Sequence, residues 1–212
     1  MKVKLFGFLV VVLLLVPFAY GDSTQVNMVF TGVNGANDGH YYVSPYSGKM
    51  DGTPVVLFCD DILNDVWVGE KWAANVTNLG AAISSNNFSA TRYGGATGSK
   101  VTNPVVAYEE VAWLTTQFAS NPGDYVSLQY AIWDIMNPGT YGGVDGWLDK
   151  ALKNYGSINP NNFAIVTNLG PVKLTGQVQE FIVQTPEPSA LALLGFGLLL
   201  LGVLLGRSRL TA

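Results

Sequence analysis

The chain has 212 residues, of which 49% are hydrophobic and 12% are charged, and its formal net charge is −4. Residues 22–185 hold seven Lys and Arg against 14 Asp and Glu, a formal charge of −7. Such an acidic segment lacks the basic patch that nucleic acid binding requires, so we exclude nucleic acid as a partner. The chain has one cysteine, which excludes an intramolecular disulfide.

The N-terminus has the pattern of a secretory signal peptide. Lys2 and Lys4 precede an apolar run that ends at Ala19-Tyr20-Gly21, where small residues occupy alternate positions. We expect residues 1–21 to be the signal peptide, cleaved after the glycine. The exported domain over residues 22–184 is then long enough to bury a core without disulfides.

Four short runs in this domain predict β-strands, because they are rich in β-branched or aromatic residues and are bounded by Gly, Asn or Pro. In chain order they are Thr24–Val33, Pro54–Cys59, Phe163–Val166 and Val178–Val183. Three helices are predicted between the second and third strands, over about 104–119, from near Asp124, and around Trp147.

The apolar faces of these helices recur at spacings of three and four residues. Their members are Val105, Tyr108, Ala112 and Trp113; then Tyr125, Leu128, Ile132 and Ile135; then Val144, Trp147, Leu148, Ala151 and Leu152. Strands at both ends with helices between them predict an α+β fold, mainly a β-sandwich or barrel-like domain with an inserted helical subdomain.

Cys59 stands at the end of the second predicted strand, and two interpretations of it are open. In the first interpretation Cys59 is a small buried hydrophobic residue, as most free cysteines are. The other interpretation gives it a partner in Gln129, on the second predicted helix. A thiol that displaces ammonia from a glutamine carboxamide leaves an internal thioester, which is an electrophile stored inside the fold.

Two short motifs resemble those of the bacterial thioester domains found at the tips of surface adhesins. The motifs are Phe58-Cys59 and Gln129-Tyr130-Ala131-Ile132-Trp133. Those domains carry a cysteine on a strand, commonly after an aromatic residue, and a later Thr-Gln-x-Ala-Ile/Val-Trp motif that opens a helix. The resemblance spans roughly residues 26–134 and includes Ala-Trp-Leu at 112–114. Leu128 is a departure, because the family usually has Thr or Ser before the glutamine.

The resemblance implies that Cys59 and Gln129 form the thioester cross-link. The residues implied around the thioester are Phe58, Tyr130, Ala131 and Trp133. Such a domain captures an amine-bearing surface or matrix molecule as a covalent amide. It needs no cofactor and reacts once per molecule, so the expected role is adhesion and not enzymatic turnover.

The C-terminus combines a Pro-Glu-Pro peptide, an apolar segment and a basic tail. Thr185-Pro186-Glu187-Pro188-Ser189 precedes an apolar run over 190–206, and Arg207 and Arg209 follow. As a helix the run would span about 25 Å, close to the thickness of a membrane interior, with its basic end in the cytoplasm.

This order of parts, over residues 185–212, resembles the PEP-CTERM sorting signal of Gram-negative bacteria. The resemblance implies an exosortase as partner and Pro186, Glu187, Pro188, Arg207 and Arg209 as signal residues. The C-terminal helix would anchor the exported protein in the inner membrane until processing releases it to the cell surface.

Three other functions compete with the thioester. A Cys/His hydrolase would need His40, the only histidine, but this residue lies in a turn-rich loop. A calcium site could use Asp60, Asp61, Asn64 and Asp65, but the EF-hand spacing is absent, so we predict no metal site. The main alternative is a non-covalent surface or biofilm-matrix module, in which Cys59 stays a buried thiol and aromatic residues line a glycan-binding face.

Overall fold

The computed structural model describes residues 24–141, 144, 146–185, 195 and 197–199. The predicted signal peptide lies outside the described residues, as do all five sorting-signal residues. Of the predicted C-terminal helix, residues 195 and 197–199 are described, and they are helical and exposed. Within the described part of the chain, no helix has the length and apolar character needed to cross a membrane.

The compact unit Gly21–Thr185 is built on a closed six-stranded barrel in the order β1-β2-β3-β6-β5-β4. All neighbouring strands are antiparallel. The strands are β1 (Thr24–Val33), β2 (Tyr46–Met50), β3 (Thr53–Cys59), β4 (Lys71–Asn78), β5 (Phe163–Asn168) and β6 (Phe181–Gln184). The α+β prediction with a barrel-like sheet is therefore confirmed.

Five α-helices lie between β4 and β5 in the described chain: α1 (Leu79–Ser85), α2 (Arg92–Gly95), α3 (Pro104–Gln117), α4 (Tyr125–Met136) and α5 (Trp147–Asn154). The last three match the predicted helices. Pro104 occupies the first turn of α3, and the side chain of Asn103 caps that turn by accepting a hydrogen bond from the backbone N–H of Val106.

The last strand and the third predicted helix each differ from the prediction in one detail. The last strand begins at Phe181 and not at Val178, because the preceding backbone bonds to buried side chains: the Val178 carbonyl accepts from Arg92, and the Glu180 N–H donates to Asp61. Leu152, assigned to the apolar face of the third helix, is 60% exposed.

The domain has two hydrophobic cores that share the wall formed by β5 and β6. Alternate side chains of this wall face opposite ways, so Ile165 and Ile182 pack among the helices, in the helical core, while Val166 and Phe181 fill the barrel, in the barrel core. Trp133 of α4 also belongs to the barrel core, whereas its neighbour Ile132 lies in the helical core. Helix α4 thus contributes to both cores.

Candidate functional site

The fold brings Cys59 and Gln129 into direct contact. The side-chain amide nitrogen Nε2 of Gln129 donates a hydrogen bond of 2.6 Å to the backbone carbonyl oxygen of Cys59. Both residues have no exposed surface. The end of β3 supplies the cysteine and α4 supplies the glutamine, so elements 70 residues apart in sequence build one buried pair.

Ser44, which the sequence analysis missed, holds both members of this pair. Its backbone N–H donates to Gln129 Oε1 at 3.0 Å, and its hydroxyl Oγ accepts from the backbone N–H of Cys59 at 2.8 Å. The Gln129 carboxamide is therefore fixed at its oxygen by Ser44 and at its nitrogen by Cys59. Ser44 is itself fully buried.

Close packing of the β1–β2 loop places Ser44. Gly35 lies so near the returning chain that a Cβ atom there would stand 1.8 Å from the Val43 carbonyl oxygen and 2.5 Å from that of Ser44. Val43 N also donates to the Ala36 carbonyl oxygen at 3.0 Å. A glycine is required at position 35 because only its missing side chain permits this approach.

The sulfur of Cys59 has three polar neighbours. The indole Nε1–H of Trp133 donates to Sγ at 3.5 Å and the Asp61 N–H at 3.4 Å, while the thiol donates to the Asp61 carbonyl oxygen at 3.3 Å. Burial raises the pKa of the Cys59 thiol well above its ordinary value, the Trp133 hydrogen bond opposes that rise, and the nearby Asp60 adds to it. Cys59 is therefore a neutral thiol at neutral pH, and its surroundings do not favour the thiolate.

An aromatic layer separates the sulfur from solvent. The ring of Trp133 lies 5.5 Å from that of Tyr41, 5.7 Å from that of Tyr130 and 5.8 Å from that of Tyr141, between centroids. Tyr130 and Tyr141 stack at 4.1 Å, and the Tyr130 hydroxyl donates to the Asp38 carboxylate. Two of the predicted site residues, Tyr130 and Trp133, thus lie between Cys59 and the surface.

The other two predicted neighbours face away from the sulfur. Phe58 precedes Cys59 on β3, where successive side chains alternate, and it packs in the helical core with its ring 5.1 Å from that of Phe118. Ala131 and Leu128 are fully buried in the same core. Leu128, at the departure from the family motif, is thus a packing residue of α4.

A buried ionic network, also missed by the sequence analysis, adjoins the cysteine. Arg92 forms an ion pair with Asp61, and its backbone N–H donates to Glu180 Oε2 at 2.7 Å. The Tyr108 hydroxyl donates to Glu180 Oε1 at 2.7 Å and the Tyr93 hydroxyl to Asp61 Oδ1 at 3.1 Å. These contacts compensate the cost of burying two carboxylates and a guanidinium.

Asp60 lies beside that network. Its side chain is fully buried, and neither carboxyl oxygen has a hydrogen-bond partner among the described residues. Burial, followed by the charge of Glu180, raises the pKa of Asp60 well above its usual range, and Arg92 only partly opposes the rise. A carboxyl group whose charged form is disfavoured by burial therefore adjoins Cys59 in the chain.

The geometry gives little support to the Cys/His hydrolase and the calcium site considered from the sequence. His40 is exposed on the β1–β2 loop, whereas Cys59 is fully buried. Asp61 and Asn64 bond to each other at 2.9 Å, and Asp61 is also the partner of Arg92. Among the residues that the structure describes, no group of three or more His, Cys, Asp or Glu side chains could hold a metal ion.

Comparison with known proteins finds one match, at the C-terminus. Residues 184–209 match the PEP-CTERM protein-sorting motif. No curated protein and no solved structure matches the chain. The motif marks the chain as an exported protein and names an exosortase as its sorting partner.

Proposed function

We propose that the domain forms an internal thioester between Cys59 Sγ and the side-chain carbon Cδ of Gln129, and uses it to capture amine-bearing molecules outside the cell. The observation that carries the proposal is the buried contact between the Gln129 amide and the Cys59 backbone, at 2.6 Å. A second support is Ser44, which fixes the carboxamide oxygen from the other side.

Formation of the thioester balances without any co-reactant. The sulfur of Cys59 attacks Cδ of Gln129, the Sγ–Cδ bond forms, and the Cδ–Nε2 bond breaks. The leaving nitrogen takes the thiol proton and departs as ammonia. Negative charge develops on Oε1 during the attack, and the Ser44 N–H, 3.0 Å from that oxygen, is placed to stabilise it.

In the capture step the sulfur of Cys59 is the leaving group. The nitrogen of an incoming amine attacks Cδ, the Cδ–Sγ bond breaks, and an amine proton passes to Cys59 as the amide forms. The Trp133 N–H, which bonds the sulfur at 3.5 Å, stabilises negative charge on the leaving group. Each molecule reacts once, because its glutamine side chain ends in the product amide.

Burial explains how such an electrophile would persist. A thioester at this position would lie between the barrel core and the aromatic layer, where Cys59, Gln129 and Ser44 have no exposed surface. Exclusion of water slows hydrolysis of the stored bond. Sorting by an exosortase then places the domain outside the cell, where target amines are met.

Methylamine provides the direct test of capture. The full chain is incubated with methylamine, digested, and sequenced by mass spectrometry while free thiol is titrated in parallel. We expect methylamide at Gln129 and one new thiol at Cys59. Unmodified Gln129 with a thiol that was free from the start would refute the proposal.

The second candidate function is a non-covalent surface or matrix module. The exposed rings of Tyr42, 59% exposed, and Trp67, 72% exposed, favour it, because Tyr and Trp are enriched at protein interfaces. In this case Cys59 is a permanent buried thiol and the Gln129 contacts are purely structural.

A further inference from the structure

Outside the buried Cys59–Gln129 pair lie five residues that we call the aromatic patch: the partly exposed Asp38, Tyr41, Tyr130 and Tyr141, together with the buried Trp133. Tyr41 is 43% exposed, and Tyr130, Tyr141 and Asp38 are partly exposed. Trp133 is the innermost member, since its indole contacts the Cys59 sulfur on one side and three tyrosine rings on the other.

Asp38 fixes a negative charge at the edge of these rings. Its Oδ1 accepts from the backbone N–H groups of His40 and Tyr41, each at 2.7 Å, and its Oδ2 accepts from the Tyr130 hydroxyl. Burial alone would raise the pKa of Asp38, but the Tyr41 and His40 N–H groups outweigh it, so the pKa is lowered and the group is ionised at neutral pH.

The charge of Asp38 also affects Tyr141. Burial, contact with Tyr41 and the charge of Asp38 together raise the pKa of Tyr141 to about 12. Tyr141 is therefore neutral at neutral pH. An anion beside electron-rich ring faces is a chemical environment that suits a cation with an apolar stem.

We propose that the aromatic patch binds the protonated amine of a lysine side chain, with its alkyl stem on the tyrosine rings and its ammonium against Asp38. The inference rests on the proposed function and names its substrate class, a primary alkylamine that binds as its ammonium and loses a proton to water before its nitrogen attacks. Binding there concentrates the amine one aromatic ring away from the proposed thioester. The domain's formal charge of −7 attracts the same cation.

The test measures binding without the thioester. The full-length Cys59→Ala chain, with 15N in its tryptophan rings, is titrated with Nα-acetyl-lysine amide and, separately, with Nα-acetyl-norleucine amide, which lacks the amine. We expect the indole N–H signal of Trp133, identified through Trp133→Phe, to shift saturably with the lysine probe alone. The signal of Trp147, a residue of the helical core, should stay unmoved.

Asp38→Asn and Asp51→Asn form a matched pair for the same titration. Asp51 is an exposed carboxylate at the other end of β2, so its replacement removes an equal charge far from the patch along that strand. We expect about fivefold weaker binding in Asp38→Asn, the upper end for an exposed charge contact, and no change in Asp51→Asn. Equal losses in both variants, or equal shifts with both probes, would overturn the inference.

This experiment separates the two proposals. If the methylamine test fails while the lysine probe still binds the patch, the thioester is wrong and the ammonium site stands. If methylamine reacts but the lysine probe shifts no signal, the thioester stands and the recognition site is wrong. Should Cys59→Ala not fold, the methylamine-treated wild-type chain replaces it, because its thioester has already been consumed.

Discussion

The backbone N–H of Ser44 donates a hydrogen bond of 3.0 Å to the side-chain oxygen of Gln129, across 85 residues of sequence. The same serine accepts from the backbone of Cys59, so one residue fixes the cysteine strand against the glutamine helix. A buried carboxamide with both of its ends bonded has one orientation. This orientation is the structural basis of the proposed thioester.

Ser44→Ala should destabilise the domain by about 1–3 kcal/mol, because it leaves the buried Cys59 N–H without an acceptor. The free energy of unfolding in urea measures the effect. Ser47→Ala is the control, since the Ser47 hydroxyl bonds Asn34 in an exposed pair and its loss should cost less than about 0.5 kcal/mol. Equal losses would mean that Ser44 does not support the site.

Gly35→Ala should displace Ser44 and lower thioester yield. The added Cβ would meet the backbone carbonyl oxygens of Val43 and Ser44, neither of which is a flexible side-chain atom. We expect a loss of about 1–3 kcal/mol in unfolding free energy and a reduced fraction of amine-reactive protein. Gly32→Ala, where a Cβ has no heavy atom within 4 Å, should change neither quantity.

Trp133→Phe should slow the capture of amines while an aromatic ring still fills its place in the barrel core. Phenylalanine retains an aromatic ring but removes the indole N–H that bonds the Cys59 sulfur. The rate of thiol release by methylamine should fall about fivefold, which corresponds to one ordinary hydrogen bond. Trp147→Phe makes the same change in the helical core and should leave the rate unaltered.

Asp60→Asn tests the raised pKa of the buried Asp60 carboxyl group. The pKa of Asp60 is raised in the folded state, so its contribution to stability is present below the unfolded pKa of about 4 and is lost as the pH rises toward the folded pKa. The asparagine variant does not titrate. Its melting temperature relative to wild type should therefore increase between pH 4 and pH 7.

The control for this pH effect is Asp51→Asn, which removes an exposed carboxylate. Its melting temperature relative to wild type should change little over the same interval. If the difference between Asp60→Asn and wild type is the same at both pH values, Asp60 is ionised in the folded protein.

Local sequence patterns predicted the elements whose apolar residues are continuous or periodic. Thr24–Val33 has the predicted bounds, and the three central helices are confirmed. Strands β2 and β4 were missed because polar residues interrupt them: Tyr46–Met50 holds Ser, Gly and Lys, and Lys71–Asn78 has Lys and Asn on exposed or half-buried positions and a buried Thr. Only pairing with neighbouring strands makes them regular.

The candidate site also contains some residues that the sequence predicted and others that it did not. Cys59 and Gln129 stand in recognisable motifs, and the fold brings them together. Ser44, Arg92 and Glu180 lie in no motif, and their roles depend on partners as far as 119 residues away in sequence. Arg92 offered one signal, as a lone arginine in an acidic domain, but sequence alone did not name its partners.

The mass of the intact protein tests the central claim most directly. We predict that the exported wild-type protein is lighter by one ammonia than its processed sequence, that Cys59 resists alkylation, and that the Cys59→Ala and Gln129→Ala variants each have the full mass of their own processed sequence. A wild-type chain of full mass with an alkylatable Cys59 would contradict the thioester.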